Sequence, residues 1–246
     1  MFQTPIQAII FDYGNTIIPY GRQELNHYGD QVFAAMEELY GTLDRQRFDE
    51  CRQASRMEPY RGDPPVYREN DMAAITAELV RELCGREALP AELQQLMEAR
   101  HDAFVNAVTV DEESVAALQT LSERFPIGLL SNYPDGGAIR ASLDKIGIDG
   151  LFRSVVISGE LGYVKPHPVA FAKSLEELGV PAPACLFVGD NWLADVQGAK
   201  RIGMKVAHMK RWAPPEAHER SAGDQEPDWT IDTLGDVVTG LAESNS

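Results

Sequence analysis

Cysteine is scarce in this chain of 246 residues: Cys51, Cys84 and Cys185 are all there is, far apart and without a C-x-x-C pair. An odd number at such spacing excludes a disulfide framework and a thiolate zinc site, and fits a reducing cytoplasm. Long apolar runs are missing too. The first, Ala8 to Phe11, is too short for a signal peptide or a membrane span, and no basic region precedes it. The protein is therefore expected to be soluble, unsecreted and cytoplasmic, with no membrane as partner. Positive charge is sparse: Lys plus Arg total 22 against 38 Asp plus Glu, a net charge of -16. That field repels a phosphate backbone and argues against nucleic acid as a partner. Most of the acidic excess reads as a solvated face that maintains solubility, and it identifies no substrate. Lysine is absent before Lys145, and internal repeats and low-complexity tracts are absent throughout.

What is present reads as an ordinary globular chain, with 44% hydrophobic and 24% charged residues. Its length suits one sizeable core, or one core plus a smaller inserted domain, as a monomer or a homodimer. Short apolar runs at Ile6 to Phe11, Pro126 to Leu130, Ser154 to Ile157, Cys185 to Val188 and Lys205 to His208 end in Gly, Asp, Ser or Asn. They predict buried parallel strands. After residue 108 they alternate with helical spacings: Val115, Leu118, Leu121; Ile139, Leu143, Ile146; Phe171, Leu175, Leu178; Val196, Ala199, Ile202. Asp111 as a cap, Pro168 in a first turn, and Gly179 and Gly203 after last turns set the boundaries. This is the pattern of an α/β fold, a Rossmann-like doubly wound parallel sheet. Ala213 to Pro227 reads as an exposed loop, Trp229 to Asp232 as a last strand and Leu234 to Leu241 as a closing helix.

Residues 17–107 break the alternation, because their apolar periodicity is helical throughout. Val32, Met36 and Leu39 mark one helix. Met72, Ile75, Leu79 and Leu83 mark another, and Leu93, Leu96, Met97, Arg100 and Phe104 a third; a weaker one spans Phe48 to Met57. The expected organisation is a core of residues 1–16 and 108–246, with residues 17–107 as an inserted α-helical cap domain over the carboxyl edge of the sheet.

Ligands of an open parallel sheet bind outside the carboxyl ends of its strands, so the residues following each apolar run carry the chemistry. These are Asp12, Ser131, Asn132, Asp190 and, one turn on, Asp195. Three carboxylates converging on one crevice repel one another and call for a cation, and an all-oxygen ligand set points to Mg²⁺. Lys165, in Gly162-Tyr163-Val164-Lys165-Pro166-His167-Pro168, offers a fixed positive charge. A cation, a lysine and a nucleophilic aspartate suit phosphoryl transfer.

Taken in order, FDYGNTI, LLSN, GYVKPHP and VGDNWLAD resemble the four motifs of the haloacid dehalogenase superfamily, a match spanning the whole chain. The helical insert resembles the cap of one large branch of it. The resemblance implies Asp12 as the nucleophile that forms an aspartyl intermediate and Ser131 as the ligand of the transferred group. It implies Lys165 as the residue that orients both, and Asp190 and Asp195 as holders of Mg²⁺. The substrate it implies is a small phosphorylated metabolite.

One departure bears on the activity. Phosphatases of the superfamily carry a second Asp two residues after the nucleophile as general acid and base, and here that position is Gly14. The Gly14 carbonyl still offers an oxygen to Mg²⁺, but proton transfer, worth about 10² to 10⁴-fold in rate, loses its group. An acyl phosphate, whose leaving group needs no proton, suffers least. Asn15, Tyr13 or an insert residue could position water. The rival reading is a catalytically weak or silent member that binds a ligand or protein. Dehalogenation is a third, weakened because dehalogenases are metal-independent and lack the acidic pair Asp190 and Asp195. Phosphonoacetaldehyde hydrolase chemistry needs a cap lysine, and the chain has none before Lys145.

Secondary candidates surround this set. Arg61 and Arg68, with Tyr60 and Tyr67, offer binding groups for an anionic or ringed substrate, though exposed loop residues would read the same. Arg22 could face the site or simply begin a helix. Asn132 and Asn191 either bond phosphate and carboxylates or cap the helices that follow. His167 reads as a helix cap, His101 has no partners spaced like metal ligands, and Trp192 reads chiefly as core packing.

Overall fold

The computed structural model describes residues 4–212 and 215–243. Six strands form one parallel sheet in the order β3-β2-β1-β4-β5-β6. They are β1 (Ala8–Phe11), β2 (Ile127–Ser131), β3 (Phe152–Ile157), β4 (Cys185–Gly189), β5 (Lys205–Met209) and β6 (Trp229–Ile231). The chain runs outward from β1 to β3, then returns to the other side of β1 and runs to β6. The order reverses between β1 and β4, and that reversal opens a crevice at the carboxyl ends of the two strands.

The continuous apolar runs fit because both faces of the sheet are covered. Alternate residues serve opposite layers: Ile9 and Phe11 pack with Ile127, Leu129 and Val188, whereas Ala8 and Ile10 pack with Leu130, Phe187 and Val206. The first layer is closed by α5 (Glu112–Ser122), α6 (Gly136–Lys145) and α10 (Leu234–Glu243). The second is closed by α8 (Pro168–Leu178) and α9 (Gly198–Arg201). The expected punctuation is in place. Asp111 accepts a bond from Ser114 N at 2.7 Å, Pro168 opens α8, and Gly179 closes it in the left-handed region at φ 71°.

Between β1 and α5 lie only helices: α1 (Arg22–Tyr40), α2 (Arg45–Met57), α3 (Met72–Cys84) and α4 (Pro90–Ala107), with a 3-10 turn at Glu58–Tyr60. Their apolar stripes meet one another and continue the first layer, through Val32, Met36, Phe48, Leu79, Leu96 and Phe104. The insert is tied to the sheet's edge at several points. Lys145 Nζ donates to the Val105, Asn106 and Val108 carbonyls at 2.7, 3.1 and 2.9 Å, capping the end of α4. Phe104 lies 4.1 Å, centroid to centroid, from Tyr133. Glu69 N donates to Gly162 O, and Val164 N to Tyr67 O.

Two expectations need correction, and one element was not foreseen. The fourth helical pattern does not start as a regular helix: Trp192–Gln197 is a π-helical turn leading into α9, with Asn191 capping it through Ala194 N at 2.8 Å. The stretch from Ala213 to Pro227 is not wholly an exposed loop. Ala213 and Pro214 lie outside the described residues, Pro215–His218 form a 3-10 turn, and Ala217 is buried. The short helix α7 (Ser158–Leu161) had no periodic signal, since four residues give too little. Among the described residues no helix is long and apolar enough to cross a membrane.

Candidate active site

Asp12 follows the last residue of β1, and its amide extends the ladder by donating to Val188 O at 2.8 Å, which aims the side chain into the crevice. One carboxylate oxygen lies 2.5 Å from Lys165 Nζ; the other accepts a bond from Thr16 Oγ1 at 3.0 Å. Lys165 arrives from the loop after α7 and is 1% exposed, so its ammonium must be paired. Its remaining partners are Leu130 O at 2.9 Å and Asp195 Oδ1 at 2.8 Å. Burial works against the charge, but Asp12 and Asp195 outweigh it and hold the pKa above the usual lysine range. Lys165 is thus a fixed cation and neither a base nor an amine nucleophile.

Asp190 and Asp195 reach the same crevice from the end of β4 and the turn behind it, 6% and 1% exposed. One oxygen from each of Asp12, Asp190 and Asp195 lies within 4.8 Å of the others. Both later carboxyls are pushed up in pKa. Burial is the largest cause in each, followed for Asp190 by the charges of Asp12 and Asp195, and offset in part for Asp195 by Lys165. Asp195 Oδ2 accepts from Asn191 N at 2.9 Å, whereas Oδ1, although close to the ammonium, has no aligned hydrogen bond. A buried carboxylate oxygen left short of donors, inside an all-oxygen cluster, is the chemistry that a hard divalent cation completes. Gly189 is required by that arrangement: a Cβ there would come within 2.6 Å of the Asp195 carboxyl carbon.

A cavity of about 280 Å³ opens between this edge and the insert. Gly14, Ser131 and Asn132 line its floor; Tyr28, Arg52, Arg56 and Arg100 line it from the insert.

A family model for haloacid dehalogenase-like hydrolases matches residues 6–203. The chain belongs to that family. Among its relatives is the ribulose-1,5-bisphosphate 5-phosphatase of Halopiger xanaduensis, 28% identical over 94% of this chain and 97% of that one. The glyceraldehyde 3-phosphate phosphatase of Methanopyrus kandleri is 27% identical over 97% and 99%. The 2-haloacid dehalogenase of Pseudomonas syringae shares the fold, with a TM-score of 0.73 at 20% identity, covering 97% of this chain and 99% of that one. A HAD phosphatase from Thermococcus onnurineus superposes at a TM-score of 0.67 and 20% identity, covering 96% and 98%. The chain is an α/β hydrolase of the haloacid dehalogenase superfamily.

The motif residues Asp12, Ser131, Lys165, Asp190 and Asp195 of this hydrolase meet at one strand edge, with Gly14 beside them. Other candidates lie elsewhere. Asn132 caps no helix, and its amide side chain is engaged: Oδ1 accepts from Lys165 N at 2.8 Å, and Nδ2 donates to Lys165 O and Tyr60 Oη at 3.0 Å each. It fixes the lysine's backbone and leaves no side-chain donor for phosphate. Arg61 and Arg68 are not brought to the cavity. Arg61 is exposed and paired with Glu58 at 3.0 Å, and Arg68 is exposed over the Tyr163 ring at 4.9 Å. Arg22 is exposed at the start of α1. His167 caps α8, accepting from Val169 N at 3.3 Å. Trp192 is buried in the second layer, its indole N–H on Asp224 at 2.7 Å.

Sequence reasoning missed Thr16, Glu69 and the arginines Arg52, Arg56 and Arg100. Signals existed for the arginines. Arg100 sits on the apolar stripe of α4, where a solvated residue does not belong, and Phe48, Arg52 and Arg56 recur every fourth residue on one face of α2.

Proposed function

We propose that the chain is a Mg²⁺-dependent phosphatase of a small phosphorylated metabolite, working through an aspartyl-phosphate on Asp12, with residues 17–107 as a cap over a core of 1–16 and 108–246. The observation that carries this reading is the buried cluster of Asp12, Asp190 and Asp195 around the Lys165 ammonium. Its support from the relatives is that those of nearly full length are named as phosphatases. Asp12, Asp190, Asp195 and the Gly14 carbonyl would hold the metal, which supplies charge neutralisation for the nucleophile and the phosphoryl group.

Every other part of the mechanism falls to the chain's own groups. Thr16 and Lys165 hold the Asp12 carboxylate in one orientation, so little motion separates it from attack. One oxygen of Asp12 bonds to phosphorus while the bond to the leaving oxygen breaks and its electron pair departs with that oxygen. Ser131 offers its hydroxyl to the transferred group, and Lys165 stabilises the charge that grows there. Water then cleaves the acyl phosphate and regenerates Asp12.

Gly14 governs which leaving groups succeed. Tyr13 does not replace the absent acid, because its hydroxyl shares a hydrogen bond with Ser142 Oγ at 2.9 Å. Asn15 does not either: it holds a left-handed backbone at φ 59°, and its side chain accepts from Tyr20 N at 3.0 Å. Acyl phosphates are therefore favoured over esters of poor leaving groups. The lack of an acid at Gly14 is also the one observation favouring the second reading, a member that binds without turnover. A dehalogenase reading is opposed by the three-carboxylate cluster, and a likeness to dehalogenase structures at 20% identity concerns the fold alone.

The test is Mg²⁺-dependent phosphate release from acetyl phosphate and p-nitrophenyl phosphate, by wild type and Asp12→Asn. Loss of release in the variant, by roughly a thousandfold or more, is expected. Retention of most activity would sink the nucleophile assignment, and no release by wild type from either compound would favour the silent binder.

A further inference from the structure

The insert's side of the cavity carries an excess of positive charge, three arginines against the single carboxylate of Glu69. Arg100 is 8% exposed, and its Nε donates to Met72 Sδ at 3.1 Å. A thioether is a weak acceptor, and no carboxylate pairs with Arg100 among the described residues, so most of the guanidinium's five donors have no protein partner. Its neighbours on the cavity wall have the same sign. Arg52 lies 5.2 Å over the Tyr28 ring, with Nη2 on Leu25 O at 3.1 Å and Nη1 on Asp49 at 3.3 Å. Arg56, one turn further along α2, is exposed and has no ion pair among the described residues.

The one carboxylate lining the cavity is Glu69, and it is occupied. One oxygen accepts from Asn70 N at 2.7 Å and the other from Ser158 Oγ at 2.5 Å. Tyr20 and Tyr28 of the insert and Tyr133 of the core also line the cavity, and none of their hydroxyls has a hydrogen-bond partner among the described residues. A charge withdrawn from water without a partner is costly, as at Arg100, and with Arg52 and Arg56 on the same wall beside phenolic donors the grouping amounts to a prepared anion site. In a chain of net charge -16 the grouping stands against the overall field.

We propose that the substrate carries a second anionic group, remote from the phosphoryl group, which Arg100 holds together with Arg52 and Arg56. The proposal rests on the phosphatase reading for the phosphoryl end at Asp12. A neutral aliphatic end would strip water from these guanidiniums and return nothing, whereas a carboxylate or a second phosphate completes them. A cavity of about 280 Å³ leaves room for a short carbon chain between the two charges.

The test uses alkyl phosphates of three and five carbons that end in methyl, carboxylate or a second phosphate. Their affinities for Asp12→Asn are measured by calorimetry with Mg²⁺ present, and phosphate release is measured with wild type. Anion-ended compounds should bind about tenfold or more tighter than methyl-ended ones, the effect of one hydrogen-bonded charge. The better of the two anions identifies the group. Adding Arg100→Gln to Asp12→Asn should remove most of that advantage. Adding Arg56→Gln, a change on an exposed face that folding tolerates, should reduce it by a smaller factor. Equal binding of all three ends at both lengths would overturn the proposal, as would an advantage that survives Arg100→Gln in a variant of unchanged circular dichroism. An end preference lost with Arg100, but with no phosphate released by wild type from these compounds or from acetyl phosphate, would retain the subsite and remove the phosphatase reading. Release from every compound without preference would do the reverse.

Discussion

The sheet edge beneath the cavity and the insert's wall above it are charged in opposite senses, and each is incomplete alone. At the sheet edge, three carboxylates cluster at one ammonium that pairs with two of them, and burial, followed by the carboxylates' mutual repulsion, raises the pKa values of Asp190 and Asp195. On the insert, three guanidiniums line a space whose one carboxylate is already bonded. The first wall lacks a cation and the second an anion. The proposed ligand, a metal-bound phosphate ester with a charged tail, would satisfy both.

The comparison breaks most sharply at Lys165. Lys165→Met keeps the length of the side chain and removes the charge, leaving Asp12 and Asp195 buried without a partner. Removing one member of a buried pair typically costs about 3–5 kcal/mol. Phosphate release should fall below detection, and the denaturant midpoint should drop markedly. A variant with wild-type stability would mean that the carboxyls simply protonate, and that the cluster is held by the fold instead of by charge.

A smaller effect is expected from the metal. Mg²⁺ added to the metal-free protein at a hundred times its dissociation constant should stabilise it by about 2.7 kcal/mol, read as a rise in melting temperature. Asp190→Asn should abolish most of the rise. If the rise persists in that variant, the divalent site lies elsewhere and the sheet-edge wall is not what the cation completes.

How much of this was legible in the sequence differs between the same two walls. The sheet edge was readable because a parallel strand buried on both faces must be a continuous apolar run, so the residue ending each run is marked. Asp12, Ser131 and Asp190 were found that way and Lys165 from its own stretch, Gly162 to Pro168, although the π-helical turn carrying Asp195 was not, since one extra residue per turn barely disturbs the apolar spacing. The insert's wall was not readable. An arginine every fourth residue on α2 reads as a solvated face, and only the packing of α2 against α3 and α1 turns that face toward the cavity. Loop arginines looked better placed, yet Arg61 and Arg68 are bonded elsewhere. Arg100 carried the clearer local signal, its place on an apolar stripe.

Gly14 is where the two walls touch, and it supplies the finest test. A Cβ there would stand 3.3 Å from Tyr20 Cβ, tighter than ordinary contact, and Tyr20 is in turn fixed through Asn15 and packs on Phe104 at 5.2 Å. Installing the missing acid therefore has two opposed consequences. Gly14→Asp adds a proton donor next to the leaving group, worth up to about 10²-fold at the low end of general acid catalysis. It also crowds Tyr20, and overpacking of this kind costs about 1–3 kcal/mol. The net expectation is a gain of about tenfold in p-nitrophenyl phosphate hydrolysis relative to acetyl phosphate, with a lower melting temperature. An unchanged ratio between the two substrates would mean that another group already supplies the proton. Loss of both activities would mean that the close fit of Tyr20 on a bare backbone is what the insert's wall requires of this position, and that the glycine belongs to the substrate side of the site as much as to the catalytic side.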